Sequence, residues 1–147
     1  MPQSFLFRGT TINYKGNNAA IAVPYTCTSR HPVKALWFAL ECVSKNPASA
    51  VVYLAKAERL LNFEPMGNWL ESVEDEVAFR LKPLDFYPLT EGYIHTVDFQ
   101  KVLFGLDIDT YKSVRKDNLT LLCENTEPLK ESEIDLIVEK MEIFLKK

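Results

Sequence analysis

Short apolar runs of strand length, mixed irregularly with helical segments, constrain the fold of this chain more than any other feature. Residues 50–55 (Ala-Val-Val-Tyr-Leu-Ala) form a continuous apolar run, which is typical of a strand buried on both faces. Shorter runs predict further strands at residues 4–8, 19–23, 77–81, 93–97 and 119–123. Because strand runs outnumber helices and do not alternate regularly with them, the pattern favours an α+β fold over a repeated βαβ fold.

Two helices are predicted with clear boundaries. The first covers residues 31–44, because apolar residues recur there at steps of three and four. Ser29 can cap it, and Pro32 suits its first turn. The second covers residues 132–146, with Ser132 and Asp135 in a capping pattern and an apolar stripe along one face. We expect this helix to pack on the domain. A partner-binding helix is the less favoured interpretation.

Length and charge exclude several classes of function. A chain of 147 residues can form one domain with a sizeable core, and we predict a single domain over residues 1–147. The net charge of −3 and the lack of a basic cluster argue against nucleic-acid binding through phosphate neutralisation. No apolar stretch approaches the ~20 residues of a membrane span, and no secretory signal is recognisable. We therefore expect a cytoplasmic protein, or one delivered into a host or target cell without a signal peptide.

The three cysteines, Cys27, Cys42 and Cys123, show no paired spacing. An odd and sparse set without a Cys-x-x-Cys motif is typical neither of a disulfide framework nor of a zinc site. We therefore expect reduced cysteines and no metal site.

Three short motifs carry most of the functional information, and their order along the chain matters. Phe7-Arg8-Gly9 ends an apolar run, Tyr25-Thr26-Cys27-Thr28-Ser29 precedes the first helix, and Glu74-Asp75-Glu76 precedes a strand run. An arginine, a hydroxyl cluster and a Glu-x-Glu pair in this order resemble the arginine–serine–glutamate, cholera-toxin-like group of mono-ADP-ribosyltransferases. The resemblance spans about the first two-thirds of the chain. It implies a split mixed or antiparallel β-sheet with flanking helices, and a reaction in which NAD is a substrate.

The resemblance also implies a role for each motif. Arg8, followed by Gly9, matches the arginine that anchors NAD, and the planar guanidinium suits phosphate oxygens. Cys27, Thr28 and Ser29 lie where the family has a Ser-Thr-Ser motif, whose first serine orients the catalytic glutamate. That position is Cys27 here, unless a shifted register lets Thr26 or Thr28 supply the hydroxyl. A thiol is a poor substitute for a hydroxyl donor.

The acidic pair matches the catalytic part of the family's site. Glu76 corresponds to the glutamate at the nicotinamide ribose, where a carboxylate stabilises positive charge in the transition state. Glu74 corresponds to the residue that contacts the acceptor in arginine-modifying members. Two carboxylates at positions i and i+2 of an extended segment project to the same side. Trp69, in the loop before them, could stack on a planar group of the acceptor, which we expect to be a protein.

Each motif also has an ordinary structural explanation. An arginine after a strand is usually a surface or salt-bridged residue, a Thr-Ser cluster before a helix is usually a cap, and Glu-Asp-Glu is usually solvated surface.

The main alternative to a transferase is a non-enzymatic protein-interaction module of α+β fold. Within the enzymatic interpretation, a glycohydrolase that releases nicotinamide to water is also open. A nucleotide or nucleic-acid hydrolase has little support, because the sequence has no phosphate-binding loop or metal-ligand cluster. Small free-standing members of the resembled family are often toxins or injected effectors.

Overall fold

The strands of the chain form one antiparallel sheet in the computed structural model, which describes residues 5–12, 26–43, 49–63, 76–105 and 130–147. The strands are β1 (Phe5–Thr11), β2 (Thr26–Ser29), β3 (Ala50–Lys56), β4 (Glu76–Phe79) and β5 (Gly92–His95). Their order across the sheet is β4-β2-β1-β3-β5, and every neighbouring pair is antiparallel. The predicted α+β class is confirmed at this general level.

Helices connect and cover these strands. They are α1 (Pro32–Trp37), α2 (Pro83–Phe86), α3 (Thr96–Gly105) and α4 (Glu131–Met141). The first of them continues directly as a π-helix over Phe38–Val43. Short 3₁₀ turns occupy Ala57–Leu60, Tyr87–Leu89 and Glu142–Phe144. None of the helices in these ranges is long and apolar enough to cross a membrane.

The two faces of the sheet carry different side chains, as the alternation along β1 and β3 requires. The helical face packs against α1, α3 and α4, and its buried strand residues are Phe7, Val52, Leu54 and Ile94. The opposite face, called here the tyrosine face, contributes Leu6, Val51, Tyr53 and Ala55 to a second core cluster with Leu60, Phe79, Leu81 and Phe86. The sheet is therefore buried on both sides at β1 and β3.

Several predicted boundaries need correction. The end of the strand predicted over residues 4–8 was wrong, because β1 continues to Thr11 and pairs with β3 along its whole length. The strand predicted over residues 93–97 ends at His95, because α3 begins at Thr96. The strands predicted at residues 19–23 and 119–123 lie outside the described residues.

Both predicted helix caps are shifted along the chain. His31, not Ser29, is the N-cap of α1, since its Nδ1 accepts a hydrogen bond from the Val33 amide at 3.2 Å. At α4, Glu133 Oε1 accepts from the Lys130 amide at 3.1 Å, so the helix begins before the predicted Ser132. Only one half of the predicted capping box is formed, two residues upstream, because the Lys130 side chain has no acceptor and the Glu133 amide donates to the Lys130 carbonyl at 3.0 Å instead.

The C-terminal residues extend the sheet beyond β5. The Tyr93 amide donates to the Lys146 carbonyl and the Lys146 amide donates to the Tyr93 carbonyl, both at 2.7 Å. Gly92 adopts a φ of 137°, and a Cβ there would lie 2.3 Å from the Lys146 oxygen. Glycine is therefore required at this position, both for the backbone conformation and for the close approach of the C-terminal segment.

Candidate functional site

The three sequence motifs lie on three adjacent strands. Arg8 is in β1, Cys27-Thr28-Ser29 is in β2, and Glu76 is the first residue of β4. Since the sheet order is β4-β2-β1, the hydroxyl cluster lies between the arginine strand and the glutamate strand. Glu74 and Trp69 lie outside the described residues, so their predicted roles stay predictions.

The register of β2 and β4 bears on which residue can meet Glu76. Ser29 is the Cα partner of Glu76, whereas Cys27 is the partner of Ala78. The last residue of the Cys-Thr-Ser segment, a hydroxyl residue, is therefore the cross-strand neighbour of the candidate glutamate. The thiol at the position that resembles the family's first serine lies two residues further along the strand.

Ser29 also shapes the turn between β2 and α1. Its Oγ accepts a hydrogen bond from the His31 amide at 3.0 Å and donates to the His31 carbonyl at 3.3 Å. His31 in turn caps α1 through Nδ1. The turn is thus held by three side-chain to backbone hydrogen bonds, from two residues, which fix the end of β2 relative to the helix.

Arg8 is the most unusual charged residue of the sheet. Its side chain is on the tyrosine face, two residues after the buried Leu6, and only 9% of the residue is exposed. Nη1 donates to the Cys27 carbonyl at 2.9 Å, while Nε is buried without a partner. Among the described residues no carboxylate forms an ion pair with it. Burying a guanidinium N–H without an acceptor is costly, and Arg8 Nε is the atom at which this cost arises.

Threonines surround Arg8 on β1 and β2. The antiparallel pairing of Phe7 with Ser29, continued along both strands, brings Thr28 opposite Arg8 and Thr26 opposite Thr10. Thr26 Oγ1 donates to the Leu81 carbonyl at 2.9 Å, whereas Thr10 Oγ1 is buried without a partner. Arg8 Nε and Thr10 Oγ1 are therefore two buried polar atoms on one strand for which the described residues supply no hydrogen-bond partner.

Gly9 has a packing role that the sequence motif did not indicate. A Cβ at Gly9 would lie 1.8 Å from the Ala35 carbonyl oxygen and 2.9 Å from the Ala39 amide nitrogen. The backbone of α1 and its π-helical continuation therefore rests directly on β1, and this contact sets the distance between helix and sheet on the face opposite the Arg8 side chain. The role in cofactor binding that the resemblance implies for Gly9 stays a prediction.

An open pocket of about 670 Å³ lies on the tyrosine face over β3 and β5. Its lining includes three tyrosines, two basic residues and one acidic residue: Tyr53, Tyr87, Tyr93, Arg59, Lys147 and Glu91. Tyr53 stacks on Tyr87 with ring centroids 4.5 Å apart, and Tyr93 lies against Tyr53 at 5.4 Å. Since Tyr53 is the Cα partner of Arg8, this tyrosine pocket begins one strand away from the buried guanidinium.

Sequence reasoning did not find the tyrosine pocket or the unsatisfied Thr10. A single tyrosine in the otherwise aliphatic run at residues 50–55 was the available signal. Its importance depends on the pairing of β3 with β5, which brings Tyr93 opposite Tyr53 and cannot be predicted from the local sequence pattern.

Within the described ranges no group of three His, Cys, Asp or Glu residues could hold a metal ion.

No protein-family model, curated protein or solved structure matches this chain at a significant level.

Proposed function

We propose that this chain is an NAD-dependent mono-ADP-ribosyltransferase. The observation that supports it is the adjacency of β1, β2 and β4, which carry Arg8, Ser29 and Glu76. The resemblance relies on one arginine, one hydroxyl and one glutamate from three distant parts of the chain. The register places the Ser29 and Glu76 positions on the helical face with Phe7, and Arg8 on the tyrosine face, so the support comes from the Ser29–Glu76 pair next to the strand of Arg8.

In this proposal Arg8 binds the anionic part of NAD. The guanidinium is fixed through Nη1 by the Cys27 carbonyl, and its Nε has no partner. A phosphate oxygen would supply both the missing acceptor and the missing negative charge, and planar N–H groups of arginine match phosphate geometry. The free energy of burying the charge would then be offset only when NAD is bound.

Glu76 would act on the nicotinamide ribose. The bond between the ribose C1 and the nicotinamide nitrogen breaks, the electron pair leaves with neutral nicotinamide, and the ribose becomes cationic. A carboxylate near that ribose stabilises the positive charge. The acceptor then attacks C1 and loses a proton. Ser29, the cross-strand neighbour of Glu76, is the residue we assign to orient that carboxylate, in place of Cys27. Its one O–H would then exchange the His31 carbonyl, 3.3 Å away, for the carboxylate.

The remaining roles follow from the resemblance. Glu74 would contact the acceptor, and Trp69 would stack on a planar group of it. The proposed acceptor is a protein. The proposed place of action is the cytoplasm, either of the producing cell or of a cell into which the protein is delivered as a toxin or effector.

Release of nicotinamide from NAD is the decisive measurement, made with and without cell lysate as a source of acceptor. Glu76→Gln should leave the protein folded and lower the rate by about 10²–10³, the usual effect of removing one preorganised electrostatic stabiliser. Glu139→Gln is the matched control, because Glu139 is exposed on α4 and belongs to none of the three motifs. It should release nicotinamide at the wild-type rate.

Two results would contradict the proposal. If Glu76→Gln retains the wild-type rate, Glu76 is not the catalytic carboxylate. If the wild-type protein neither binds NAD nor releases nicotinamide, the chain is not an ADP-ribosyltransferase, and the non-enzymatic interaction module becomes the better interpretation.

A further inference from the structure

We propose that the tyrosine pocket binds an aminopurine nucleotide such as AMP. This inference uses residues that the motif resemblance does not include, and it does not depend on the proposed transferase activity. Its volume of about 670 Å³ is in the range of small-molecule sites, roughly 300–1,000 Å³.

The pocket offers aromatic surface for a planar ring. Tyr53 is almost fully buried and supports Tyr87, whose plane is inclined by only 24° to its own. Tyr87 and Tyr93 are half-buried and line the pocket, so part of each ring is available to a ligand. Bases stack on such rings with little dependence on sequence, because every base has a π-face.

One acceptor in the pocket lacks a donor. Glu91 Oε1 is buried and receives no hydrogen bond, although Arg59 Nε lies 3.4 Å away in an ion pair. A buried carboxylate oxygen is satisfied by an N–H donor, and the exocyclic amine of an aminopurine is such a donor on a planar ring. This combination of a ring surface and an acceptor favours a base over a purely aliphatic or phenyl ligand.

Positive charge at the pocket rim fits a phosphate. Arg59 and Lys147 both line the pocket, and about half of the Arg59 side chain is exposed. Among the described residues, Arg59 forms one ion pair, through Nε. Its outer guanidinium nitrogens can therefore bind a phosphate in a bidentate manner.

The walls of the pocket are held by backbone hydrogen bonds, so the site is largely formed before a ligand binds. The Glu91 amide donates to the Leu54 carbonyl at 2.8 Å, and Thr90 Oγ1 donates to the Tyr87 carbonyl at 2.7 Å. Tyr93 is paired on its other side with Lys146. A preformed site loses little conformational entropy on binding.

Calorimetric titration with AMP tests the proposal. Adenosine, which lacks the phosphate, and ribose 5-phosphate, which lacks the base, probe the two parts of the nucleotide separately. We expect AMP to bind in the micromolar to millimolar range, adenosine more weakly, and ribose 5-phosphate most weakly. Tyr87→Leu should weaken AMP binding by roughly 5- to 150-fold, the effect of losing one stacking ring. Tyr87→Phe keeps the ring and should bind AMP within about threefold of the wild type.

A second pair of variants tests the phosphate contact. Arg59→Gln should lower the affinity for AMP by a larger factor than the affinity for adenosine, because only AMP carries the phosphate. Lys101→Gln is its charge-matched control, because Lys101 is exposed on α3 and pairs with Asp98 away from the pocket. Thermal unfolding of each variant checks that the fold is kept.

Competition with NAD identifies the source of the nucleotide. If AMP and NAD compete, the adenylate half of NAD occupies the pocket. If both bind together, the occupant is a free nucleotide, and either result supports the site. Absence of AMP binding at 5 mM, or unchanged binding in Tyr87→Leu, would overturn it. A protein that binds AMP but releases no nicotinamide would refute the transferase and leave the nucleotide site intact.

Discussion

Gly9→Ala tests whether the contact between β1 and α1 is as close as the structure has it. The added Cβ would lie 1.8 Å from the Ala35 carbonyl oxygen and 2.8 Å from the Ala35 carbonyl carbon. Ordinary contacts between such atoms exceed ~3 Å, so strand and helix must separate by about 1 Å or more. The opposing atoms belong to helix backbone, which cannot rotate away as a side chain can.

The expected cost follows from that displacement. Overpacking a well-packed core typically costs about 1–3 kcal/mol, and a backbone clash belongs at the upper end of this range. Replacing glycine in a strand interior returns about 0.5–1 kcal/mol. We therefore expect Gly9→Ala to lower the free energy of unfolding by about 2 kcal/mol. In a domain of this size that corresponds to a fall in Tm of roughly 4–8 °C.

Urea unfolding followed by circular dichroism measures this difference, with Gly105→Ala as the matched control. Gly105 ends α3, and a Cβ there would meet nothing within 4 Å. Its substitution should be neutral or stabilise by up to about 1 kcal/mol. Equal stability of Gly9→Ala and wild type would refute the close packing. If stability is equal but NAD binding is lost, Gly9 acts in the cofactor site, as the resemblance implies.

Three further predictions concern the proposed transferase site. Arg8→Lys should weaken NAD binding measured by calorimetry, because lysine keeps the charge but loses bidentate geometry; unchanged affinity would remove Arg8 from the site. Glu74→Gln should reduce transfer of labelled ADP-ribose to lysate proteins while nicotinamide release to water continues, and equal loss of both activities would contradict an acceptor role. Cys27→Ser should leave nicotinamide release within about twofold of wild type, since Ser29 is the Cα partner of Glu76; a large increase in rate would show that position 27 supplies the limiting hydroxyl.

Local sequence signals predicted element types better than their ends. The apolar run predicted β3 correctly, and the three- and four-residue periodicity predicted α1 correctly. Both signals lie in consecutive residues, because they reflect burial of a strand on both faces and the amphipathicity of a helix. The predicted end of β1 was wrong because it depends on a tertiary contact. Gly9 signals a turn by itself, but here it lies inside a strand, since a helix 26 residues later along the chain needs the space that a side chain would fill.

The candidate site was predictable only in part. Arg8, Ser29 and Glu76 could be identified as motif residues, but their adjacency depends on the order of strands in the sheet. Whether Cys27 or Ser29 pairs with Glu76 depends on the register between β2 and β4. A shift of two residues would exchange them, and no local sequence pattern specifies that register. The tyrosine pocket depends on contacts among Tyr53, Tyr87 and Tyr93, which come from separate segments.

The sheet order has a consequence for how the chain is made. β1 precedes every other described strand in the sequence, yet it lies at the centre of the sheet. During synthesis from the N-terminus, at about 5–20 residues per second, its apolar side chains leave the ribosome before their partner strand β3 exists. Phe7 shares a core cluster with Ile137, Val138 and Met141 of α4. The first strand to emerge is therefore among the last to be fully covered, and nascent chains that stop before α4 should depend on chaperones to avoid aggregation.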